Sequence, residues 1–283
     1  MTVEMRRALL IVALASIAMT AMPVPPASAS DMTVGWINVC RFSHRAKDDP
    51  IVFPRNPGAS HSHDFYGNKS TNAFSTYSSL LGKGTTCQLQ GDTAAYWVPT
   101  LYFKGQAQRP RSVKFYYRSI IDPPSDVRAF PRGLEMVEGN AHATGPQDIR
   151  TVWWQCDHGV HTPVPQDCAR GQHVVFHVEF PECWDGVHLD SSDHRSHMSP
   201  SVDRDSGLDT CPRSHPIPLP RLIIRLEWDI RRGSKIMLSS GFPYTLHADF
   251  INSWDQLKLR RLVARCINAA IDCGEPGVSP SRR

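Results

Sequence analysis

The sequence predicts a mainly β protein: an antiparallel, jelly-roll-like β-sandwich with long disulfide-braced loops and a C-terminal helix. Three observations lead to this prediction. Several segments alternate apolar and polar residues with the period of two that is typical of half-buried strands. Many of the 23 prolines lie in long stretches between these segments, and the chain has eight cysteines. Apolar residues recur convincingly at helical spacing in one place, near the C-terminus.

The strand predictions rest on alternation and on aromatic and β-branched content. In 221–230, apolar side chains occupy every even position from Leu222 to Ile230, so they share one face. Segment 173–180 behaves in the same way, with Val174 and Phe176 on its inward face. We predict a turn at 231–234 and the following strands: 96–103, 112–120, 173–180, 221–230 and 235–240.

The single predicted helix follows a capping signal. Ser253-x-x-Gln256 has the spacing of a capping box, in which the first side chain accepts a hydrogen bond from the backbone three residues on. Apolar residues then recur at helical spacing, at Leu259, Leu262, Val263, Cys266, Ile267 and Ala270.

The N-terminus has the three regions of a secretory signal peptide. Arg6 and Arg7 precede the apolar run ALLIVALASIAMTAM, which is followed by prolines and an A-x-A pattern. We predict a signal peptide at 1–29, a mature chain beginning at Ser30, and secretion to the extracellular space. The alternative is an uncleaved anchor helix, but the apolar run is short for a membrane span. No later stretch is apolar enough to cross a bilayer, so we expect no transmembrane segment after cleavage.

The mature chain shows no internal repeat and no clear linker, so we predict one β-rich domain at 30–273 and a disordered tail at 274–283. Its net charge is only +4, and the lysines and arginines are scattered. Proteins that bind nucleic acid usually show a basic stripe with interleaved aromatic residues. We therefore expect no nucleic-acid partner.

All eight cysteines follow the signal segment, and an even count in an exported chain indicates disulfides. A metal-thiolate site is the alternative, but the chain contains no C-x-x-C motif. We predict four bridges between nearest neighbours along the chain: 40–87, 156–168, 183–211 and 266–273.

Three short motifs carry residue types that bind metals or move protons. In SHSHDFYGN, His61 and His63 are two residues apart, so their side chains share one side of an extended segment. His247 and Asp249 share a side in HADF by the same spacing. In DSSDHRSHM (190–198), two histidines are three residues apart, as in one helical turn or a tight loop.

Neutral imidazoles and carboxylates are ligands for a divalent transition metal, and we predict one such cofactor. In this hypothesis Asp193 and Asp249 orient imidazoles, and Arg195 binds an anionic group of the substrate or stabilises developing charge. The alternative is a self-contained loop at 190–198 whose side chains bond to nearby backbone. The predicted metal ligands are His61, His63, His194, His197 and His247. The predicted catalytic residues are Asp193, His194, Arg195, His197 and Asp249.

Two further chemistries remain open. Paired carboxylates for glycoside cleavage have candidates in Glu179, Glu182, Asp185 and Asp193, although FPECWDG (180–186) also suits a disulfide corner. Aromatic residues in polar segments suit either sugar stacking or the core of a β-sandwich. These aromatic residues are Tyr66, Tyr77, Trp97, Tyr102, Trp153, Trp154 and Trp184.

Long blocks of the sequence resemble, in order, the family called the domain of unknown function number nineteen-ninety-six. The resemblance covers about residues 36 to 273 and is carried by DPIVFPRNPGASHSHDFYGNKSTNAFSTYSSL, DTAAYWVPTLY, FPRGLEMVEGNA, FPECWDGVHLDSSDHRSHM, CPRSHPIPLP and LSSGFPYTLHADFINSWD. It implies a secreted protein of a bacterial and fungal family, some of whose fungal members carry an added module that binds wall sugars. It implies no reaction. The family's histidine motifs match at His61, His63, His194, His197, His215 and His247.

Together these observations predict a secreted hydrolase or lyase that acts on extracellular polysaccharide through a His/Asp cluster. The alternative is a non-catalytic protein that binds carbohydrate or the cell wall. A concave site in which polar groups converge would favour the enzyme, whereas a flat aromatic strip apart from them would favour the binding protein.

Overall fold

The computed structural model describes residues 34–203 and 209–275. The predicted signal peptide at 1–29 lies outside these ranges, as does the predicted tail beyond Glu275, and the predicted domain boundaries stay predictions. The strands are β1 (Gly35–Val39), β2 (Phe42–Ala46), β3 (His63–Gly67), β4 (Ala95–Pro99), β5 (Leu101–Phe103), β6 (Gln106–Ala107), β7 (Ser112–Arg118), β8 (Glu135–Gly139), β9 (Val152–Cys156), β10 (Val174–Glu179), β11 (Cys183–Trp184), β12 (Met198–Ser199), β13 (Val202–Asp203), β14 (Asp209–Thr210), β15 (Ile217–Pro218), β16 (Arg221–Trp228), β17 (Ile236–Leu238) and β18 (His247–Ile251).

The helical elements are short. They are α1 (Tyr77–Leu80), α2 (Gln256–Leu262), a π-helical turn at Val263–Ile267, and 3-10 turns at Pro124–Asp126, Gly233–Lys235 and Pro243–Thr245. Within the described ranges, no helix has the length and apolar content needed to cross a membrane.

Two five-stranded antiparallel sheets form the predicted sandwich. One has the order β1-β7-β16-β10-β9 and the other β2-β3-β4-β18-β8. Their inner faces share one hydrophobic core, in which Tyr96 of β4 stacks on Phe115 of β7 with ring centroids 3.9 Å apart. The other sheets are smaller and have the orders β12-β11-β15, β13-β14 and β17-β5-β6. The prediction of a mainly β, antiparallel sandwich with disulfide-braced loops and a C-terminal helix is therefore confirmed.

The strand predictions hold with two corrections. The predicted strand 96–103 is two strands: β4 ends at Pro99 in the sheet with β3, and β5 (Leu101–Phe103) pairs with β17. In β16 the even positions are buried as predicted, but Ile223 and Arg225 are buried too. Loops therefore cover part of the face that was expected to be exposed.

The helix begins two residues later than the capping-box prediction. The Asp255 carboxylate accepts hydrogen bonds from the backbone N–H groups of Leu257 and Lys258. Ser253 is fully buried, and its hydroxyl donates to the carbonyl of Thr93. The predicted cap at Ser253 is wrong, because tertiary contact recruits its side chain and leaves the cap to Asp255.

All four predicted disulfides are confirmed: Cys40–Cys87, Cys156–Cys168, Cys183–Cys211 and Cys266–Cys273. The last bridge joins the π-helical turn to a segment beside β1, where the N–H of Cys273 donates to the carbonyl of Gly35 (2.8 Å). Beyond it, Glu275 forms an ion pair with Lys114 (2.7 Å).

A second, smaller core lies on the outer face of the sheet that contains β3, β4 and β18. There Phe65, Trp97 and Ile251 pack with Ile51, from the loop before β3, and with Leu80 of α1. This outer layer buries side chains at alternate positions of the strands, and it contains the histidines described next.

Candidate metal centre

The strand register places His63 and His247 on either side of Pro99. His63 of β3 pairs with Pro99 of β4. Asp249 of β18 pairs with Trp97 of β4, so two residues along the antiparallel ladder His247 also lies opposite Pro99. Because the proline ring is short, the imidazoles from β3 and β18 meet above it.

Three histidine side chains converge at this point. The Nε2 atom of His247 lies 3.1 Å from Nε2 of His61 and 3.3 Å from Nε2 of His63. His63 and His247 are buried, whereas His61 is half-buried. The structure thus brings together three of the five residues predicted as metal ligands.

Backbone contacts fix how two of these rings present their nitrogens. Nδ1 of His63 bonds to the carbonyl of Asp48 (3.0 Å), and Nδ1 of His247 bonds to the carbonyl of Thr245 (2.8 Å). A carbonyl only accepts, so Nδ1 carries the proton in each ring and Nε2 presents a lone pair. Two lone pairs therefore face each other at 3.3 Å, an arrangement that is repulsive unless a cation lies beside them.

A proton is a poor candidate for that cation at neutral pH. Burial lowers the pKa of His247 to about 3 and that of His61 to about 4. Burial also lowers the pKa of His63 to well below its ordinary value, with smaller contributions from His61 and His247. Neutral imidazoles with free Nε2 atoms are the form that binds Zn²⁺ and similar divalent metals.

Two buried carboxylates adjoin the histidines. Asp249 is 1 % exposed, and neither of its oxygens has a hydrogen-bond partner among the described residues. Asp49 accepts hydrogen bonds from the N–H groups of Ile51 and Val52 (3.1 and 3.0 Å). Ligand atoms of Asp49, His63 and Asp249 lie within 4.8 Å of one another. Burial, and then the nearby Asp49, raises the pKa of Asp249 to well above its ordinary value.

Asp249 does not orient an imidazole, as the sequence hypothesis supposed, since its oxygens contact no hydrogen-bond donor among residues 34–203 and 209–275. It instead supplies a buried carboxylate that a cation at the histidines would balance. Sequence reasoning missed Asp49, because an aspartate in a proline-containing turn has no feature that links it to a strand 200 residues away. The only hint was its position a few residues before the SHSH motif.

The DSSDHRSHM loop is not part of this cluster. It runs along the edge of β8, where Val137 N–H donates to the carbonyl of His194 (3.4 Å). The ring of His197 is buried, and its two nitrogens contact the Glu135 carbonyl (2.7 Å) and the Ser191 hydroxyl (2.9 Å). Nδ1 of His194 contacts the Asp190 carboxylate (3.0 Å). The loop agrees only in part with the self-contained alternative, in which side chains bond to nearby backbone: His194 bonds to a carboxylate within the loop, whereas His197 bonds to a backbone carbonyl of β8.

The remaining residues of the predicted catalytic set also contribute to this loop. Asp193 accepts hydrogen bonds from the N–H groups of Arg195 (3.1 Å) and Ser196 (2.8 Å). These and the Ser191 hydroxyl hold the pKa of Asp193 well below its ordinary value. Arg195 donates to the carbonyl of Gly139 at the end of β8. The five predicted metal ligands therefore divide between two places, three in the centre and two in the loop.

Of the carboxylates considered for glycoside cleavage, Asp185 and Asp193 bond within their own loops. Asp185 contacts Nδ1 of His188 (2.6 Å). Glu179 and Glu182 both pair with Arg221 (2.8 and 2.5 Å) at a cavity beside β8.

The aromatic residues that suited sugar stacking are mostly core residues. Tyr66, Trp97, Trp153 and Trp154 are buried, and Tyr77, Tyr102 and Trp184 are half-buried. In residues 34–203 and 209–275, no tryptophan or tyrosine is exposed. The described surface therefore lacks a flat strip of these side chains.

A family model described as a domain of unknown function (DUF1996) matches residues 49–254. The chain belongs to the DUF1996 family. The matched range begins at Asp49 and includes all three histidines of the centre and Asp249. Neither a curated protein nor a solved structure gives a match. The predicted resemblance is thus confirmed, and the DUF1996 family brings no reaction with it.

Proposed function

We propose that this protein is a secreted metalloenzyme, a hydrolase or lyase acting on extracellular polysaccharide, in which His61, His63 and His247 hold a divalent transition metal. The observation that carries the proposal is the convergence of three Nε2 atoms, with separations of 3.1 and 3.3 Å to that of His247. Carbonyl contacts at Nδ1 direct two of these atoms inward, as outer hydrogen bonds do for metal-binding histidines.

The charges of the surroundings support a divalent ion. Three neutral imidazoles bring no charge, and a buried dication would be costly without compensation. Asp49 and Asp249 provide two carboxylates beside His63. Asp249 has no other partner in the described structure, and a nearby cation would favour its ionised form.

Three protein ligands with a further open position are the arrangement of catalytic zinc sites, whereas structural sites are closed by four. His61 is half-buried, so the open position would lie on its side of the centre. A cation held in this way polarises a bound water or a substrate oxygen. This chemistry serves either hydrolysis or elimination.

Two observations support export and an enzyme rather than a wall-binding module. Four disulfides are typical of an oxidising, extracellular compartment. The lack of an exposed tryptophan or tyrosine in the described ranges gives little support to sugar stacking on a flat surface. A polysaccharide is proposed as the substrate because the predicted export would place the protein among wall and matrix polymers.

The test combines metal content with activity. Chelator-washed protein is reloaded separately with Zn²⁺, Mn²⁺ or Cu²⁺, and bound metal is measured by plasma emission spectroscopy. The loaded forms are then incubated with a panel of wall and plant polysaccharides. New reducing ends report hydrolysis, and unsaturated ends report elimination.

The variant His247→Ala should lose the metal and the activity together. His215→Ala is the matched control, since its Nε2 atom contacts the carbonyl of Ser196 (3.0 Å) outside the centre. Wild type that binds no metal, or His247→Ala that keeps it, would rule out the centre. Metal binding without product, together with retention of the polymer, would favour the wall-binding alternative.

A further inference from the structure

A cavity of about 540 Å³ opens at the edge of the sandwich beside β8. Here β8 of one sheet approaches β10 of the other to within 8 Å between Cα atoms. Glu138 of β8 and Glu179 of β10 both line it. The cavity does not include the three histidines of the metal centre, and its volume is that of a small-molecule site.

Among the residues that the structure describes, the cavity lining carries more carboxyl groups than guanidinium groups. The carboxyl groups are those of Glu138, Asp148, Glu179, Glu182 and Asp209, and the guanidinium groups are those of Arg150, Arg195 and Arg221. The described part of the wall therefore has two more carboxyl groups than guanidinium groups. A ligand that carries positive charge would reduce this excess.

The ion pairs of Arg221 show where the excess of carboxyl groups arises. Arg221 contacts Glu179 (2.8 Å) and also Glu182 (2.5 Å), so one guanidinium serves two carboxylates. Glu182 is 1 % exposed and accepts a further hydrogen bond from Ser201 N–H (3.0 Å). Among the hydrogen bonds of the described residues, Glu138 accepts from the backbone N–H of Gly139 (2.9 Å).

Two of these carboxyl groups have raised pKa values. Burial raises the pKa of Glu179 to about 7 against the opposing effect of Arg221, and neighbouring Glu182 raises it further. Burial also raises the pKa of Glu138, although the Gly139 N–H, the charge of Arg195 and the Thr151 hydroxyl oppose the shift. The protein's own cations therefore do not fully stabilise the ionised forms of these two carboxyl groups.

Part of the wall is apolar. Ile120, Met136, Phe180 and Met198 contribute carbon surface beside the carboxyl groups. A small hydrated metal ion would gain nothing from such surface, whereas the carbon skeleton of an organic cation would lie against it.

We propose that this cavity binds a primary ammonium group carried on a sugar-sized body, that is, an amino-sugar unit of a polysaccharide. The polysaccharide context rests on the proposed function, but recognition of the ammonium group depends on the cavity alone. Glu138 is the principal partner of the ammonium group, with Glu179 as the second acceptor. An N-acetylated sugar carries a neutral amide in place of the ammonium group, and the cavity therefore discriminates against it.

Titration calorimetry at neutral pH and low salt tests this, with glucosamine oligosaccharides and their N-acetylated counterparts as probes. Wild type should bind the free amine at least about tenfold more tightly than the acetylated form, as expected for loss of a charged hydrogen bond. Glu138→Gln should weaken amine binding about tenfold for the same reason. Asp229→Asn removes one negative charge from an exposed position outside the cavity, and its affinity should match wild type.

His247→Ala separates this proposal from the metal centre. The His247→Ala variant should retain amine binding. This expectation is the same whether or not the chelator-washed and reloaded wild type binds a metal. Loss of amine binding in a folded His247→Ala protein would overturn the separate cavity.

Three other results would also overturn the proposal: equal affinity for both probes, no binding of either, or unchanged affinity in Glu138→Gln with native circular dichroism. Calcium that displaces the amine and binds more tightly would show a metal site instead. If Glu138→Gln fails to fold, the comparison of the two probes on wild type still decides.

Discussion

His63 and His247 lie on strands that are not neighbours, yet their Nε2 atoms are 3.3 Å apart. The intervening strand places Pro99 between them, and Nδ1 of each ring is held by a backbone carbonyl. This relationship makes the pair a preorganised half of the proposed metal site. It also explains why the histidines come from segments 184 residues apart in the sequence.

Metal should stabilise the folded protein through these histidines. A ligand that binds only the native state adds about 2.7 kcal/mol at a free concentration of about 100 times Kd. For a chain of this size, that is roughly 5–10 °C in Tm. Calorimetric scans with chelator and with Zn²⁺ should show this increase in wild type and in His215→Ala, but not in His63→Ala. An equal increase in His63→Ala would contradict the assignment.

Asp249→Asn should have opposite effects on the metal-free and metal-loaded proteins. Without metal, burial raises the pKa of Asp249, so folding at neutral pH must either protonate this carboxyl group or bury its charge. The neutral amide of the variant avoids that cost and should raise the free energy of unfolding by about 1–3 kcal/mol. With metal, the same change removes a compensating charge and should reduce the stabilisation by Zn²⁺. Urea unfolding of both forms measures these differences. A loss of stability in the metal-free variant would indicate a structural role for Asp249.

Asp92 should make stability depend on pH below neutrality. Burial raises its pKa from 3.8 to about 7, against hydrogen bonds from Tyr96 and Asn38. An acid with a higher pKa in the folded state binds more protons when folded. Its stabilising contribution is therefore complete below about pH 4 and is lost as the pH rises to about 7, by up to about 1.4 kcal/mol per pH unit.

Urea unfolding between about pH 4 and about pH 7, with chelator present, should show a shallower pH dependence in Asp92→Asn than in wild type. The difference between the two curves isolates Asp92 from other titrating groups. Parallel curves would show that Asp92 has no such effect.

Asp255→Ala should cost about 1 kcal/mol of stability, because its carboxylate caps the first turn of α2 through Leu257 and Lys258. Asp255→Ser should retain most of that stability, since serine is also a good cap. Thermal unfolding of the two variants gives the comparison. Equal losses in both would mean that Asp255 acts through something other than its cap.

Local patterns determined much of the fold. The alternation in 221–230 reflects the two faces of a strand, a property of the backbone that does not depend on neighbours. Eight cysteines allow 105 connectivities, so the sequence did not determine the pairing; the nearest-neighbour prediction is nevertheless confirmed at all four bridges. The capping signal failed at Ser253, because a hydroxyl that can cap a helix can equally bond to a distant carbonyl such as that of Thr93.

The sequence by itself determined the types of residue available for a metal site, and it placed His61, His63, His247 and Asp249 in motifs with the right local spacing. Only the tertiary structure decided which motifs meet. The pairing of β3 and β18 with β4 brings three histidines together, and the loop before β3 adds Asp49. His197 lies outside this cluster, because its ring bonds to the carbonyl of Glu135 on β8. The physical reason is that spacing along a strand fixes which side chains share a face, whereas contact between strands depends on a register set by the whole core.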